Sequence, residues 1–198
     1  MKVIFLDFDG VITIPSRWII NENRLRNLKK IVDETDAKIV VSSSWRSSTI
    51  ERTKNVILNH EDREQINNKL MQWLADNIYD ITPYISDDKY KGTGRGGEIQ
   101  TWLDTHSEVD NYVILDDDSD MMISQLYNFV QTDWSFGLTG REVQLSIAVL
   151  QNKPLYNTIS LNYILRYEWQ KRCEGLESLY DNEEFQQISK KYFNNRNM

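Results

Sequence analysis

Hydrophobic positions along the chain alternate between short continuous runs and stretches with helical spacing. Residues 3–6 form an apolar run with β-branched side chains, and residues 38–41 and 112–115 repeat this pattern. Such runs predict strands that are buried on both faces of a sheet. Over residues 23–36, apolar side chains recur at steps of three and four, which predicts an amphipathic helix between the first two strands. The order strand, helix, strand is typical of a parallel sheet.

The pattern is less regular after the second strand. Residues 50–80 carry apolar side chains at helical spacing, and Ser48 with Glu51 matches a capping box at their start. Residues 82–97 are rich in glycine and proline and predict an ordered loop, which a further helix follows. We therefore expect helices to continue alternating with strands.

This alternation predicts an α/β protein, a three-layer α/β/α sandwich with a mostly parallel Rossmann-like sheet. Thr139 and Glu142 form a second capping-box pattern, before a helix that closes one layer. We predict a core over residues 1–151, with room for a small helical insertion and loop over 47–95. Aromatic and charged residues over 152–198 predict a helical C-terminal extension packed on the core.

Composition narrows the class of protein. The 198 residues, 40% of them hydrophobic, suffice for one domain with a substantial core. The net charge is −7, which argues against a general electrostatic grip on nucleic acid. The single cysteine, Cys173, excludes a disulfide scaffold, and no apolar run approaches the length of a membrane span. We therefore predict a cytoplasmic protein with no membrane partner, and we interpret Cys173, His60 and His106 as structural or surface residues.

Polar clusters follow three of the predicted strands. Asp7 and Asp9 follow the first, and side chains two apart on a strand face the same way. Two close carboxylates repel unless a cation compensates, and hard oxygen ligands at this density suit Mg²⁺. One carboxylate can attack phosphorus while the other moves protons. Asp and Gly are also ordinary turn residues, but the clusters at 42–46 and 116–118 favour the chemical interpretation.

Three segments carry a resemblance to a known family. They are FLDFDGV at residues 5–11, IVVSS at 39–43 and VILDD at 113–117. In this order they resemble the first, second and fourth motifs of the haloacid dehalogenase-like (HAD) superfamily of aspartate-nucleophile phosphohydrolases. The resemblance covers about residues 1–150. It implies a HAD-like fold with a small cap or none, because only a helix and a strand fit between the first two motifs.

A narrower likeness is carried by the runs SSWR, RGGEI and ILDDD, at residues 43–46, 95–99 and 114–118. These runs resemble the phosphatase-type domains of RNA repair proteins and of polynucleotide kinase-phosphatases.

The resemblance to HAD enzymes implies a Mg²⁺-dependent phosphomonoester hydrolase that works through an aspartyl-phosphate. Asp7 would be the nucleophile, and Asp9 would be the general acid and base. Mg²⁺ would lie between the Asp7 carboxylate, the Asp9 main-chain carbonyl and the acids Asp116 and Asp117. We expect Asp117 to be the direct ligand and Asp116 its partner, but the reverse assignment stays open, and Asp120 is a more distant candidate.

The resemblance implies that residues of the family's second and third motifs bind the phosphate. Strand alternation favours Ser43 for the hydroxyl that binds phosphate, with Ser44 as the neighbouring candidate if the register shifts by one residue. The third motif of the family is usually a lysine, and here Arg95 or Lys91 would take its place. An arginine clamps phosphate with a bidentate fork. The alternative for Arg95 is a solvated loop charge.

Trp45 and Arg46 are candidate substrate contacts. The alternatives are a packing anchor for Trp45 and a surface ion pair for Arg46.

The substrate implied by these likenesses is a nucleotide or a nucleic-acid 3′-phosphate end. Two alternatives stay open: a nucleotide- or RNA-end-binding protein without turnover, and a phosphate-transfer enzyme, because fold and motif do not determine the acceptor. The sequence does not determine the oligomeric state.

Overall fold

The computed structural model describes residues 1–14, 19–59, 67–85 and 93–152, together with position 183. Its central sheet is parallel, and an antiparallel pair of short strands stands apart from it. Within the described residues the strands are β1 (Lys2–Leu6), β2 (Thr13–Ile14), β3 (Ile19–Ile20), β4 (Lys38–Val41), β5 (Ile78–Ile81), β6 (Asn111–Asp116) and β7 (Phe129–Gln131). The order in the sheet is β5-β4-β1-β6-β7. β1 therefore lies in the centre.

Helices cover both faces of this sheet. The helices of the described part are α1 (Glu22–Thr35), α2 (Ile50–Leu58), α3 (Asn68–Asn77), α4 (Gly94–Leu103) and α5 (Gly140–Leu150). α1, α2, α3 and α5 contribute to the core on one face, whereas α4 packs on the other face beside a 3₁₀ turn at Ile123–Gln125. The predicted three-layer α/β/α class with a parallel sheet is confirmed.

The central strand shows why the first apolar run has no polar position. Ile4 and Leu6 belong to the core on the α1 face, and Val3 and Phe5 belong to the core on the α4 face. All four side chains are fully buried. A strand covered on both faces needs apolar residues at every position, because each polar group there would lose its water.

The carboxyl ends of all five parallel strands meet at one edge of the sheet, where ligands of such folds bind. After β1 the chain forms the antiparallel pair β2–β3 before it enters α1. Backbone hydrogen bonds from Asn21 and Leu138 to the carbonyls of Ile12 and Val11 hold this segment against the sheet edge, at 2.8 and 2.9 Å. The described insertion between β1 and α1 is therefore small, as predicted.

The prediction of one helical stretch over 50–80 is wrong in detail. The chain forms two helices and then the strand β5, which begins at Ile78, directly after α3. Apolar residues at 70, 74 and 78 keep helical spacing across this boundary, so periodicity does not reveal it. The N-cap of α2 is Thr49 rather than Ser48, since the Thr49 side chain accepts a hydrogen bond from the backbone N–H of Arg52.

The prediction of a loop over 82–97 is also wrong at its end, because α4 begins at Gly94. Gly96 belongs to the first turn of this helix and packs against the chain beside the 3₁₀ turn. A Cβ at Gly96 would lie 2.7 Å from Oε1 of Gln125. This glycine serves close packing rather than a loop. The capping box of Thr139 and Glu142 is confirmed at the start of α5.

The predicted extension over 152–198 falls outside the described residues, apart from positions 152 and 183. In the part of the chain that the structure describes, none of the helices has the length and apolar character needed to cross a bilayer.

Candidate active site

Three carboxylates converge at the carboxyl edge of the sheet. Asp7 directly follows β1, and Asp116 and Asp117 stand at and just after the end of the neighbouring strand β6. The Asp7 backbone N–H donates to the Leu115 carbonyl at 2.9 Å, which continues the parallel pairing of the two strands. One carboxylate oxygen from each aspartate lies within 4.8 Å of the others. We refer to Asp7, Asp116 and Asp117 as the carboxylate cluster.

Burial disfavours the ionised forms of these three carboxyl groups. It raises the pKa of Asp7 from 3.8 to about 7, although Arg95 and a hydrogen bond from Ser43 lower it in part. Burial and the Asp7 charge raise the pKa of Asp116 well above its ordinary value. Burial and Asp118 raise the pKa of Asp117 to about 6. The protein groups around the cluster therefore compensate its negative charge only in part.

Gly10 allows the chain to turn beside the cluster. Its φ is +67°, in the left-handed region that favours glycine. A Cβ at this position would lie 2.7 Å from both carboxylate oxygens of Asp117. The hydroxyl of Thr132 donates to the Gly10 carbonyl at 2.9 Å and fixes the turn. A larger residue at Gly10 would displace the Asp117 carboxylate.

Two positive or hydrogen-bonding groups face Asp7. Ser43, two residues past the end of β4, is fully buried and its side chain hydrogen-bonds Asp7. Arg95, in the first turn of α4, places its guanidinium 3.8 Å from an oxygen of Asp7 and 3.7 Å from one of Asp116. Ser44, the neighbouring candidate, has an exposed side chain. Lys91, the other candidate for the third motif, lies outside the described residues.

Arg46 lies inside the protein rather than in a surface ion pair. It is 4% exposed, its Nη1 donates to the Ser43 carbonyl at 2.7 Å, and its Nη2 lies 2.6 Å from Glu98. Glu98 also pairs with Arg95 at 3.1 Å. The guanidinium of Arg46 is covered by the ring of Tyr84 at 3.9 Å. We refer to Arg46, Glu98 and Arg95 as the arginine network.

Sequence reasoning missed the role of Glu98 in this network. The available signal was its spacing of three residues from Arg95 on a predicted helix, which places both side chains on one face.

Asp9 points toward Trp45. The indole Nε1–H of Trp45 lies 3.0 Å from both carboxylate oxygens of Asp9, and the buried hydroxyl of Thr13 donates to one of them at 3.2 Å. The Trp45 ring also packs on Phe8, with centroids 5.4 Å apart. The candidate substrate contact Trp45 thus touches the candidate general acid and base. Nothing in the sequence pattern indicated this pair, which is 36 residues apart.

Asp120, the distant candidate for the metal site, caps α4. Its carboxylate accepts the backbone N–H of Arg95 at 2.8 Å, and its carbonyl accepts that of Gly96 at 3.1 Å. Thr93, the N-cap residue, supplies no side-chain cap. Asp120 therefore holds the helix turn that carries Arg95.

The arrangement has the parts of a phosphoryl-transfer site. A carboxylate with a raised pKa faces a guanidinium and a hydroxyl, which are groups that bind phosphate oxygens. Three incompletely compensated carboxylates are also the donor set that a hard divalent cation prefers. The residues present therefore fit a metal-assisted reaction at Asp7.

Comparison with known families agrees with this geometry. The family described as the HAD domain in Swiss Army Knife RNA repair proteins matches residues 3–143, which span the described core from β1 into α5. Comparison with curated proteins and with solved structures gave no match.

Proposed function

Because the chain belongs to the family of HAD domains found in Swiss Army Knife RNA repair proteins, we propose that it is a Mg²⁺-dependent phosphomonoester hydrolase. Its substrate is a nucleotide or a nucleic-acid 3′-phosphate end. The observation that carries the proposal is the convergence of Asp7, Ser43 and Arg95 beside two further carboxylates. The family description supports a nucleic-acid end as substrate, whereas the net charge of −7 favours the smaller substrate, a nucleotide.

The first half of the reaction transfers the phosphoryl group to the protein. An oxygen of Asp7 attacks phosphorus, the bond from phosphorus to the leaving oxygen breaks, and protonated Asp9 gives its proton to that oxygen. The Arg95 guanidinium and the Ser43 hydroxyl hold the phosphoryl oxygens. Asp7 then carries an acyl phosphate.

The second half returns Asp7 to its starting state. Ionised Asp9 takes a proton from water as the water oxygen attacks phosphorus, and the bond from phosphorus to Asp7 breaks. Inorganic phosphate leaves, and Asp9 is protonated for the next cycle. The contact between Asp9 and Trp45 orients the carboxylate that serves in both halves.

The carboxylates of Asp7, Asp116 and Asp117 would hold the Mg²⁺ ion. When bound, Mg²⁺ supplies positive charge that neutralises the phosphoryl oxygens and the buried carboxylates. The raised pKa values of these groups support this assignment, because a cation offsets the cost of ionising them.

Phosphate release tests the proposal. The substrates are an aryl phosphate, nucleoside monophosphates and 3′-phosphorylated oligonucleotides, each with Mg²⁺ or with a chelator. Asp7→Asn is compared with Asp76→Asn, which removes an exposed carboxylate on α3. We expect activity that requires both Mg²⁺ and Asp7 and that is unchanged in Asp76→Asn. With substrate labelled at phosphorus, acid quenching should leave label on the wild-type protein and none on Asp7→Asn.

Activity that survives Asp7→Asn would contradict the assigned nucleophile. Binding of the substrates without turnover would instead support a nucleotide- or RNA-end-binding protein.

A further inference from the structure

A second concave feature lies beside the active site, on the far side of Arg46. It is a cavity of about 530 Å³, formed by the segments that follow β4 and β5 and by one side of α4. Ser47 and Ser48 contribute from the first segment, and Pro83 and Tyr84 from the second. Because both segments follow the carboxyl ends of strands, this wall of the cavity lies toward the same edge of the sheet as Asp7.

Arg46 connects the cavity to the active site. The Tyr84 ring lies 3.9 Å from the Arg46 guanidinium, and the Tyr84 hydroxyl donates to the Arg46 carbonyl at 3.3 Å. On the other side of Arg46, Glu98 pairs with the arginine that faces Asp7. Thr101, three residues after Glu98 on α4, already lines the cavity. Residues three apart share one face of a helix, so α4 runs from the arginine network into the cavity wall.

The cavity and the active site differ in chemistry. None of the nine described residues that line the cavity carries a charge. The lining combines the exposed ring of Tyr84 and the buried ring of Trp102, which stacks on His106, with five serine or threonine hydroxyls. The hydroxyls of Thr82, Thr101 and Thr105 already donate to backbone carbonyls and offer a ligand their acceptor lone pairs. Rings and hydroxyls of this kind suit a neutral planar group that stacks and accepts or donates hydrogen bonds. The neighbouring site, in contrast, suits a phosphate.

We propose that this cavity is the subsite for the base of the substrate nucleotide whose phosphate lies at Asp7. The inference rests on the proposed function, because it takes the phosphoryl group to be bound between Ser43 and Arg95. The base then lies against Tyr84, and the sugar spans the distance between this cavity and the phosphate. A mononucleotide and the last nucleotide of a strand offer the same base, so this chemistry is common to both substrates.

Binding of free nucleosides tests the subsite without requiring any turnover. Adenosine, guanosine, cytidine and uridine are titrated by calorimetry into the wild-type protein and into Thr101→Phe, which fills the cavity from α4. Gln100→Phe is the control, because this neighbour on α4 adds the same ring outside the lining. We expect at least one nucleoside to bind to wild type and Gln100→Phe, and its Kd to rise about tenfold or more in Thr101→Phe.

A second variant, Ser48→Phe, fills the cavity from the opposite wall and starts from an exposed residue. It keeps the test decisive if Thr101→Phe fails to fold by circular dichroism. Absence of nucleoside binding to the wild-type protein, or equal affinity in the folded cavity-filling variants, would overturn the proposal.

Steady-state kinetics then distinguish the sources of the base. Thr101→Phe should raise KM for base-bearing substrates and leave kcat/KM for glycerol 2-phosphate, which has no ring, unchanged. An effect on nucleoside monophosphates indicates a nucleotide, and an effect confined to 3′-phosphorylated oligonucleotides indicates a strand end; both support the subsite. An equal loss with glycerol 2-phosphate would contradict it. Nucleoside binding without turnover of any substrate would refute the proposed function and leave the subsite standing.

Discussion

The carboxylate cluster and the arginine network meet at the same edge of the sheet, but they differ in how far their buried charges are compensated by neighbouring groups. In the arginine network, Glu98 lies between two guanidinium groups and the Ser43 carbonyl accepts a further hydrogen bond. In the carboxylate cluster, three negative groups face one another, and the guanidinium of Arg95 approaches Asp7 no closer than 3.8 Å.

This difference suits the arginine network to positioning the chain and the carboxylate cluster to binding a ligand. The network satisfies much of its charge with its own residues, so it can hold the segment after β4 and the first turn of α4 in place without a ligand. The cluster has raised pKa values because protein groups leave its charge partly uncompensated. A bound cation would supply the positive charge that the protein groups do not.

The largest expected effect is that of Asp7→Asn, which should lower activity and raise stability. We expect Asp7→Asn to lower kcat by about 10⁴-fold or more, since the nucleophile is lost. In the presence of chelator at pH 7.5, the free energy of unfolding should rise by about 1–3 kcal/mol, because one repelling buried carboxylate is removed. Phosphate release and urea denaturation measure the two quantities. A variant that loses stability as well would show that Asp7 supports the fold.

Glu98→Gln should lower the free energy of unfolding, whereas Asp7→Asn should raise it. Arg46 would keep its buried charge without its carboxylate partner, and we expect a loss of about 3–5 kcal/mol in the free energy of unfolding. Asp33→Asn removes the partner of Lys29 on the exposed side of α1 and should change stability by less than about 1 kcal/mol. Urea denaturation compares the two variants. Equal small changes would mean that Arg46 does not depend on Glu98.

The sequence predicted the parts of this site that depend on strand order and alternation. Asp7, Asp116 and Asp117 follow apolar runs, so their convergence at one sheet edge follows from the parallel topology alone. Ser43, the hydroxyl that the sequence favoured for phosphate, hydrogen-bonds Asp7. Local patterns therefore suffice where the backbone determines which side chains meet.

The features that sequence reasoning missed depend on contacts between distant segments. β7 has three residues, and its place in the sheet comes from pairing with β6. Gly96, one of the glycines that suggested a loop, lets α4 approach the 3₁₀ turn closely. The contact between Trp45 and Asp9 joins two strand ends across the site. Periodicity cannot detect such contacts, because they are specified by packing between layers.

The pH dependence of the metal-free protein offers a smaller test of the cluster. The pKa of Asp7 is 3.8 ordinarily and about 7 in the folded protein, so the folded state holds its proton more tightly. The free energy of unfolding with chelator should therefore fall as pH rises from about 4 to about 7, by about 2–4 kcal/mol. Mg²⁺ should reverse this loss at pH 7.5. Asp7→Asn should make this fall smaller, while Asp116 and Asp117 still contribute to it through their own raised pKa values. A wild-type profile that rises over this range would contradict the raised pKa.

The smallest expected effect concerns the link between the segment after β4 and Asp9. Trp45→Phe keeps a ring on Phe8 but removes the indole N–H that contacts both oxygens of Asp9. We expect kcat/KM to fall by about 10-fold for p-nitrophenyl phosphate and by about 100-fold for an alkyl phosphate, whose leaving oxygen depends more on a well-placed acid. Trp73→Phe, on α3, is the matched control and should leave both rates unchanged. If Trp45→Phe lowers both rates by the same factor, Trp45 acts through general packing rather than by orienting Asp9.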